Sequence, residues 1–226
     1  MTSPVAHVPL TEERVLDGAL ALADRIGLES LTIRRLAEEL GVKPMTIYHY
    51  VPSKDAIVGG MVERVFAEID LPPEHLPWAQ AIRVRCLSSR RALNRHPWAA
   101  PLMESRTSPG PVSLRHHEAV LACLRRGGLS WQLTAHAYAI LDSYVFGFAF
   151  EEATLPSTGG EEMAAIAQEM SAAMDPRDYP TLAAFTVEHI LQPGYSFGDS
   201  FEFGLDLIID GLDRATRADG SAELAP

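Results

Sequence analysis

Apolar residues recur at every third or fourth position along almost the whole chain, which is the spacing of one face of an α-helix. The segment that follows Ser130 shows this pattern best, with apolar side chains at Ala137, Ile140, Leu141, Tyr144, Val145 and Phe148. No stretch alternates apolar and polar residues for long enough to predict a β-sheet. The pattern therefore predicts an all-α fold.

Residues that cap or end helices divide this pattern into separate segments. Thr11 and Thr32 are suitable N-caps for the first two helices, and Gly27 and Gly41 are suitable ends for them. Prolines and further glycines mark the later boundaries. We expect helices at about 11–27, 32–40, 43–50, 54–71, 78–96, 98–105, 111–127, 130–155, 162–174, 181–191 and 198–217.

The Pro72-Pro73 turn is a natural junction between two domains. We expect residues 1–71 to form an N-terminal three-helix domain together with the linking helix 54–71. Residues 72–217 are expected to form a larger helical domain. The polar segment 218–226 is expected to be a disordered tail.

The net charge of −11 is unevenly distributed over the 226 residues. Residues 1–54 carry six Lys or Arg and seven Asp or Glu, residues 55–154 carry ten of each, and residues 155–226 carry three and thirteen. The acidity therefore belongs to the C-terminal third. The overall negative charge argues against a nucleic-acid partner. Within residues 32–54, however, the four basic residues outnumber the two acidic ones, so this segment is compatible with nucleic-acid binding.

The composition favours a cytoplasmic protein without a membrane span. Apolar residues make up 47% of the chain, which is enough to build a core. The longest apolar candidate, Leu133 to Phe150, is interrupted by His136 and Asp142, so it lacks the roughly 18 uninterrupted apolar residues of a spanning helix. The N-terminal residues do not show the charged and apolar regions of a signal peptide.

The segment from Ile33 to Ile47 has the residue spacing of a helix-turn-helix. Ala37 is small enough for two helices to cross closely, and Gly41 can adopt a turn conformation that other residues adopt only with strain. The shared core is then filled by Leu36, Leu40, Val42 and Ile47. The second helix of such a motif can enter the major groove of duplex DNA.

Hydroxyl groups, rings and basic groups lie on the exposed side of this motif. Such groups suit contacts to phosphates and base edges. The candidate DNA-binding residues are Arg34, Lys43, Thr46, Tyr48, His49, Tyr50 and Lys54. The alternative is a tight packing of three helices with no partner, and the shortage of acidic side chains on the second helix argues against it.

The run from Thr32 to Lys54, TIRRLAEELGVKPMTIYHYVPSK, closely resembles the N-terminal signature of the tetracycline-repressor (TetR) family of regulators. Tyr179–Leu182 and Phe203–Leu212 resemble, more weakly, the C-terminal domain of the tetracycline repressor type. The resemblance implies a homodimer in which the helices near 130–155 and 198–217 of each subunit form a four-helix interface. It also implies a ligand cavity in each subunit and DNA contacts at the seven candidate residues.

The same resemblance places Arg85, Ser89, Met103 and Phe150 near cavity-lining positions, and Trp98 and Phe146 join them as candidate ligand-binding residues. Together they favour a largely apolar ligand with one acidic or polar group, although each also fits an ordinary place in the core. The tetracycline repressor holds a magnesium chelate through a histidine and a glutamate. Here Met103 stands at the histidine position and Glu151 near the glutamate position, so we expect neither a metal nor another cofactor.

An enzyme is the rival class, but the sequence contains no HExxH, P-loop, GxGxxG or GxSxG motif. His116 and His117 are adjacent on a helix, so they point about 100° apart and do not easily share a metal ion. We expect them to be solvated or to lie at an interface. Cys86 and Cys123 lack the spacing of a metal or redox motif. We therefore expect no enzyme activity.

These observations predict a homodimeric transcriptional repressor that binds a near-palindromic operator in double-stranded DNA and is released by a small, largely apolar molecule. Two alternatives stay open. The protein could regulate transcription without a ligand, in which case the C-terminal region serves only for dimerisation. It could also act as an activator.

Overall fold

The computed structural model describes residues 9–105 and 108–222. Within these ranges the regular structure is helical apart from one isolated β-bridge between Gly159 and Ser196, so the predicted all-α fold is confirmed. The α-helices are α1 (Glu12–Ile26), α2 (Ile33–Leu40), α3 (Pro44–Ile47), α4 (Lys54–Ala67), α5 (Trp78–Arg95), α6 (Ala100–Ser105), α7 (Pro111–Arg126), α8 (Trp131–Thr154), α9 (Gly160–Ala172), α10 (Pro180–Phe185) and α11 (Ser200–Ala222). None of these helices is long and apolar enough to cross a membrane.

The chain folds into two compact units, the first ending at Cys123 and the second beginning at Leu124. The domain junction predicted at residues 71 and 72 lies inside the first unit. In that unit α1 packs against α2 and α4, and α2 packs against α3. Their shared core includes the buried side chains of Val15, Ala19, Leu36, Ile47, Ile57 and Met61.

The predicted N-caps Thr11 and Thr32 are confirmed by their hydrogen bonds. Thr11 Oγ1 accepts from the N–H of Arg14 at 3.2 Å, and Thr32 Oγ1 accepts from the N–H of Arg35 at 3.2 Å. The first N–H groups of a helix have no partner within the helix, so each of these bonds stabilises a helix start by about 1 kcal/mol. The start of α2 is therefore fixed by a local side chain.

The second helix of the predicted helix-turn-helix is shorter than expected. The pattern predicts a helix over residues 43–50, whereas α3 spans only Pro44–Ile47. The N–H groups of His49 and Tyr50 donate to carbonyls three residues earlier, at 3.2 and 3.0 Å. Such bonds belong to the tighter 3₁₀ geometry, so residues 48–50 form turns instead of a further α-helical turn.

Aromatic side chains hold α8 and α11 together in the second unit. The ring of Tyr144 on α8 stacks on the ring of Phe201 on α11, with centroids 5.3 Å apart, and the Tyr144 hydroxyl donates to the Phe201 carbonyl at 3.0 Å. Phe148 meets the same Phe201 ring edge-on at 5.1 Å. Stacked and edge-to-face pairs of this kind add to the stability gained by burial. These contacts occupy one side of each helix.

The predicted helix at 181–191 changes type along its length. α10 is followed by a π-helix over Thr186–Ile190, in which the N–H of Leu191 donates to the carbonyl of Thr186 at 2.9 Å. The Thr186 hydroxyl donates to the carbonyl of Leu182 at 2.9 Å. Hydrophobic periodicity does not distinguish an α-helix from a single wider turn, so the pattern could not predict this change.

The final helix starts and ends later than predicted. Residues Phe197–Asp199 form a 3₁₀ turn before α11 begins at Ser200. α11 continues to Ala222, so the predicted disordered tail is wrong for residues 218–222, while residues 223–226 lie outside the described part of the chain. Each residue added to an existing helix contributes a hydrogen bond at little nucleation cost, which lets a polar segment without proline extend it.

Candidate DNA-binding surface

A tight turn at Gly41 joins α2 to α3. Gly41 has φ 68° and ψ 32°, in the left-handed region that glycine adopts without a clash from a Cβ atom. Its N–H donates to the carbonyl of Glu38 at 3.2 Å, and the N–H of Val42 donates to the carbonyl of Ala37 at 2.9 Å. Ala37 and Ile47 are buried on the inner side of this turn. The chain thus makes the turn that a helix-turn-helix requires.

Residues 43–50 present polar and aromatic side chains on the surface. Lys43 precedes α3, and Pro44 occupies its first turn, where the fixed φ of proline suits a helix. Tyr48 and Tyr50 are each about two-fifths exposed, at 39% and 40%. Lys43 and His49 are exposed, and Thr46 is half-buried. All five predicted residues of this segment are at least partly accessible to a partner.

Arg34 and Lys54, the other two predicted DNA-binding residues, are exposed at the start of α2 and of α4. Arg34 Nε donates to Glu38 Oε1 at 3.1 Å, and both side chains are largely exposed. An exposed ion pair of this kind stabilises the fold by at most about 1 kcal/mol, so the guanidinium can exchange Glu38 for a phosphate. Lys54 follows Ser53, whose hydroxyl accepts from the N–H of Ala56 at 3.0 Å and so fixes the start of α4.

Met45 is an accessible residue of α3 that the sequence prediction omitted. Its side chain is 71% exposed, on the short helix between Lys43 and Thr46. Apolar side chains can contact the methyl group of thymine in the major groove. Its place between two predicted contacts was the indication available in the sequence. Met45 therefore joins the candidate surface, which is defined from here as residues 43–50 together with Arg34 and Lys54.

A hydrogen-bonded network around the buried His96, at the end of α5, was also missed. Within it His96 Nδ1 lies 2.8 Å from Asp24 Oδ1 in α1, and His96 Nε2 lies 3.0 Å from Glu68 Oε1 after α4. Trp98 Nε1 donates to the same Asp24 oxygen at 2.7 Å, and Arg95 Nε donates to Glu68 at 2.9 Å. Burial raises the pKa of Glu68, but hydrogen bonds and positive charge from Arg95 and His96 outweigh burial and hold this pKa below its ordinary value. The network joins α1, α4 and α5.

Three of the six predicted ligand-lining residues are buried in the first unit. Arg85 and Ser89 lie one turn apart on α5, and the Ser89 hydroxyl donates to the Arg85 carbonyl at 2.9 Å. Met103 is buried in α6. In the described ranges no group of three or more His, Cys, Asp or Glu side chains is arranged to hold a metal ion.

The other three predicted ligand-lining residues are more exposed. Trp98 is half-buried and packs against the core of α1 to α4. Phe146 and Phe150 lie on α8 in the second unit, where Phe146 is half-buried and Phe150 is exposed. The positions of these three side chains are therefore compatible with packing inside the protein or against a second copy as well as with contact to a ligand.

His116 is buried, so the expectation that it is solvated or lies at an interface is wrong. It is 4% exposed, and its ring centroid lies 5.6 Å from that of Phe66 in α4. Position 116 shares one face of α7 with the buried residues Ser113 and Val120, and this helical spacing carries it into the interior. The neighbouring His117 is half-buried.

The environment of His116 keeps its ring neutral. Burial, followed by the positive charge of Arg85, lowers the pKa of His116 to about 4. A hydrogen bond to the Phe66 backbone acts in the opposite direction and favours the protonated ring, so it runs from the imidazole to the Phe66 carbonyl. The Nδ1 atom of His116 is buried and has no hydrogen-bond partner.

An exposed helix-turn-helix in an all-helical chain is the architecture of a DNA-binding transcriptional regulator. Residues 15–61 match the family described as bacterial regulatory proteins, tetR family, and residues 71–216 match the tetracyclin repressor-like C-terminal domain. The chain belongs to the TetR family of transcriptional regulators. The resemblance inferred from the sequence is thereby confirmed.

Individual relatives align over most of the chain. The HTH-type transcriptional repressor DrrR1 of Streptomyces coeruleorubidus is 32% identical over 213 residues, which cover 90% of this chain and 77% of that protein. The class E tetracycline repressor protein of Escherichia coli is 32% identical over 146 residues, covering 63% of this chain and 69% of that protein. Among solved structures, ActR from Streptomyces coelicolor in complex with actinorhodin has a TM-score of 0.73 at 29% identity, covering 92% of this chain and 99% of that one.

Proposed function

We propose that this protein is a homodimeric transcriptional repressor that binds a near-palindromic operator and is released by a small, largely apolar ligand. Residues 1–71 bind the DNA in this proposal, and residues 72–217 bind the ligand and form the dimer. The observation that carries the proposal is the candidate surface, which offers hydroxyl, ring and basic groups beside the Gly41 turn. The repressor DrrR1 aligns with 90% of the chain, which supports repression of transcription over activation.

The candidate surface is small and carries few charges, which favours the use of two copies. Its DNA contacts are Arg34, Lys43, Met45, Thr46, Tyr48, His49, Tyr50 and Lys54. Electrostatic affinity for DNA grows with the number of phosphates that a protein neutralises. Two copies held at a fixed spacing double that number and can occupy successive major grooves of one operator.

Exposed apolar side chains on α8 and α11 support a dimer. Ile140 and Phe150 lie on one exposed face of α8, with Gly147 between them, and Phe203 and Leu207 lie on an exposed face of α11. A small residue lets a neighbouring helix approach closely, and burying large apolar side chains stabilises an interface by roughly 25 cal/mol per Å². We therefore assign these faces to the four-helix interface between two copies.

Ligand release requires that the ligand prefer a state of the dimer in which the two candidate surfaces no longer match the operator. The ligand can change the free-energy difference between the two states by no more than its difference in binding free energy for them, which is typically about 1–3 kcal/mol. The relative ActR is known in complex with actinorhodin, which supports a small-molecule site in this chain. We assign to that site the four predicted ligand-lining residues of the first unit, Arg85, Ser89, Trp98 and Met103.

A two-stage experiment tests this function. A metabolite library is first screened by thermal shift, because a ligand that binds the folded state raises the melting temperature by mass action. Compounds that raise it are then added to a gel-shift assay on the DNA flanking the gene of this protein. Release of the DNA by such a compound is the expected result.

The other outcomes contradict separate parts of the proposal. Specific DNA binding that no compound changes would favour the alternative in which the protein regulates transcription without a ligand. Stronger DNA binding in the presence of a compound would reverse the direction of control. Absence of specific binding at moderate salt would contradict the repressor function itself.

A further inference from the structure

His96, at the end of α5, has a carboxyl group within hydrogen-bond distance of each of its ring nitrogens. The residue is buried, at 5% exposed. Its Nδ1 atom lies 2.8 Å from Asp24 Oδ1 in the last turn of α1, and its Nε2 atom lies 3.0 Å from Glu68 Oε1 just after α4. The ring therefore lies between two carboxyl groups that belong to different helices.

Both carboxyl groups act as hydrogen-bond acceptors. Asp24 Oδ1 also accepts from Trp98 Nε1 at 2.7 Å, and two donors on one oxygen fit an ionised carboxylate. Burial raises the pKa of Glu68, but hydrogen bonds and positive charge from Arg95 and His96 outweigh burial and hold this pKa below its ordinary value. Glu68 is therefore ionised at neutral pH.

An acceptor on each ring nitrogen calls for a hydrogen on each ring nitrogen. A neutral imidazole carries only one hydrogen, so it would turn the lone pair of its other nitrogen towards a carboxylate oxygen. The imidazolium donates from both nitrogens and places a positive charge between two negative ones. Arg95 is the other charged group beside this ring, and its guanidinium is paired with Glu68.

We infer that His96 is a positioning residue for DNA binding, and that it holds α1 against the ends of α4 and α5 only while its ring is protonated. This inference rests on the proposed DNA-binding function. The side chains of Asp24 and Glu68 are 28% and 32% exposed, so a proton can pass between water and the buried ring. Operator binding is then linked to the uptake of a proton by His96.

The end of α1 connects His96 to the helix-turn-helix. Arg25, the residue after Asp24, pairs with Glu39 of α2 at 2.6 Å. This pair is exposed and weak by itself, so the packing of α1 against α2 and α4 carries most of the connection. Loss of the ring proton releases the end of α1 from α5. The candidate surface, which follows α2 at the Gly41 turn, then loses its fixed orientation, and operator affinity falls.

Asp24→Asn tests whether the second ring hydrogen is required. The amide oxygen can still accept from Trp98 Nε1, while the amide N–H can donate to the lone pair of a neutral imidazole. A neutral His96 ring can then satisfy Glu68 and the new amide together. This variant should therefore bind the operator without needing the ring proton.

Asp70→Asn is the matched control. Asp70 is an exposed aspartate of the same region, and it pairs with Arg91 at 3.4 Å. Its replacement makes the same chemical change and leaves both partners of His96 in place. Circular dichroism checks that both variants are folded.

Fluorescence anisotropy on the DNA flanking the gene measures operator affinity of the full-length proteins between pH 6.5 and 9 at constant ionic strength. We expect the unmodified protein and Asp70→Asn to lose at least about tenfold more affinity over this range than Asp24→Asn. Titration of His49 on the candidate surface is common to all three proteins and cancels in the comparison. The same loss in all three proteins overturns the inference.

Nuclear magnetic resonance of protein labelled with nitrogen-15 in histidine observes the ring without any DNA. The His96 signals are those that are missing in His96→Gln and displaced in Asp24→Asn but not in Asp70→Asn. We expect both ring nitrogens of His96 to carry a hydrogen at pH 7 in the unmodified protein, and a neutral ring overturns the inference. If Asp24→Asn does not fold, this measurement on the unmodified protein still decides.

The two measurements also separate the inference from the proposed function. Specific DNA binding together with a neutral His96 ring at pH 7 overturns the inference alone. Absence of specific DNA binding at moderate salt overturns the proposed function on which the inference rests.

Discussion

Lys43 and Lys54 are the two lysines of the chain, and both belong to the candidate surface. Each phosphate that a basic residue neutralises releases counterions, so each contact contributes to the salt dependence of binding. We propose a different role for Tyr48, because its ring and hydroxyl suit base edges as well as phosphates. Single substitutions can therefore separate general from sequence-specific contacts.

Replacement of Lys54 or of Tyr48 by alanine is expected to weaken operator binding without unfolding the protein. Lys54→Ala should weaken binding to all DNA sequences alike and reduce the slope of log K against log salt by about 1. Tyr48→Ala should weaken operator binding more than binding to unrelated DNA. Fluorescence anisotropy at several salt concentrations measures both effects.

Arg177→Ala provides the control for these two variants. Arg177 is an exposed arginine of the second unit, paired with Asp175 at 2.7 Å, so its loss should leave DNA affinity unchanged. Circular dichroism checks that each variant is folded. An affinity unchanged by Lys54→Ala or by Tyr48→Ala removes that residue from the DNA-binding surface.

His116 is expected to make the stability of the protein depend on pH. Its pKa in the folded protein is lowered to about 4, chiefly by burial, whereas histidine in an unfolded chain has a pKa of about 6.5. Between these values the unfolded chain binds more protons than the folded one. The free energy of unfolding therefore falls as the pH drops from about 6.5 towards 4, by at most about 3 kcal/mol.

Urea unfolding at several pH values between 7 and about 4.5 measures this loss. Over this range Glu68 contributes little, because its pKa is lowered and its stabilising contribution is lost only below about 4.5. His116→Gln cannot titrate and should lose less stability on acidification, while the exposed His75→Gln should behave like the unmodified protein. The same pH dependence in all three proteins would refute a role for His116.

Individual partners in the interior could not be predicted from the sequence. Asp24 and Glu68, the partners of His96, lie 72 and 28 residues away along the chain. Helical periodicity indicates which face of a helix is buried but not which helix it meets. The candidate DNA-binding residues were easier to predict, because they follow one another within a short motif and need no long-range contact to bring them together.

At the scale of helices and turns, local chemistry predicted the starts and ends best. The caps Thr11 and Thr32 and the terminating Gly27 and Gly41 lie where the sequence places them. Helix type was harder to predict, as the short α3 and the π-helix show, because hydrophobic spacing is similar for neighbouring helix types. Local hydrogen bonds therefore explain the correct boundaries, and the similar hydrophobic spacing of neighbouring helix types explains the errors in helix type.

The turn at Gly41 is expected to tolerate asparagine better than alanine. Its φ of 68° lies in the left-handed region, where a Cβ atom costs about 1 kcal/mol or more and where asparagine is disfavoured less than alanine. Gly41→Ala should lower the free energy of unfolding by about 1–2 kcal/mol, and Gly41→Asn by less. Chemical denaturation of both variants checks the order, and equal stability of Gly41→Ala and the unmodified protein would contradict this account of the turn.

At the scale of the whole molecule, the charge distribution and the proposed assembly support each other. Residues 155–226 carry three basic and thirteen acidic residues, so the proposal assigns DNA binding to the small candidate surface near the N-terminus. A weakly basic surface of this size gains affinity and specificity when two copies bind one site. Dimerisation is therefore part of the proposed DNA-binding mechanism.

Replacement of Phe203 by aspartate is expected to convert the proposed dimer to monomers. Phe203 is 69% exposed on α11, and a buried unpaired charge at an interface is strongly unfavourable. Analytical ultracentrifugation measures the mass. Leu114→Asp, at an exposed apolar position of α7, is the matched control and should remain dimeric. A dimer that withstands Phe203→Asp would exclude this face of α11 from the interface.

Operator binding by two linked copies of the candidate surface is the central claim, and a titration of the protein into labelled DNA tests it most directly. The DNA is the region flanking the gene of this protein, narrowed by footprinting and compared with copies in which one or both halves of the palindrome are scrambled. We expect two chains per intact site, an affinity at least about 10³-fold above that for fully scrambled DNA, and a large loss when one half is scrambled. Equal affinity for the intact, half-scrambled and fully scrambled sites at moderate salt would contradict it.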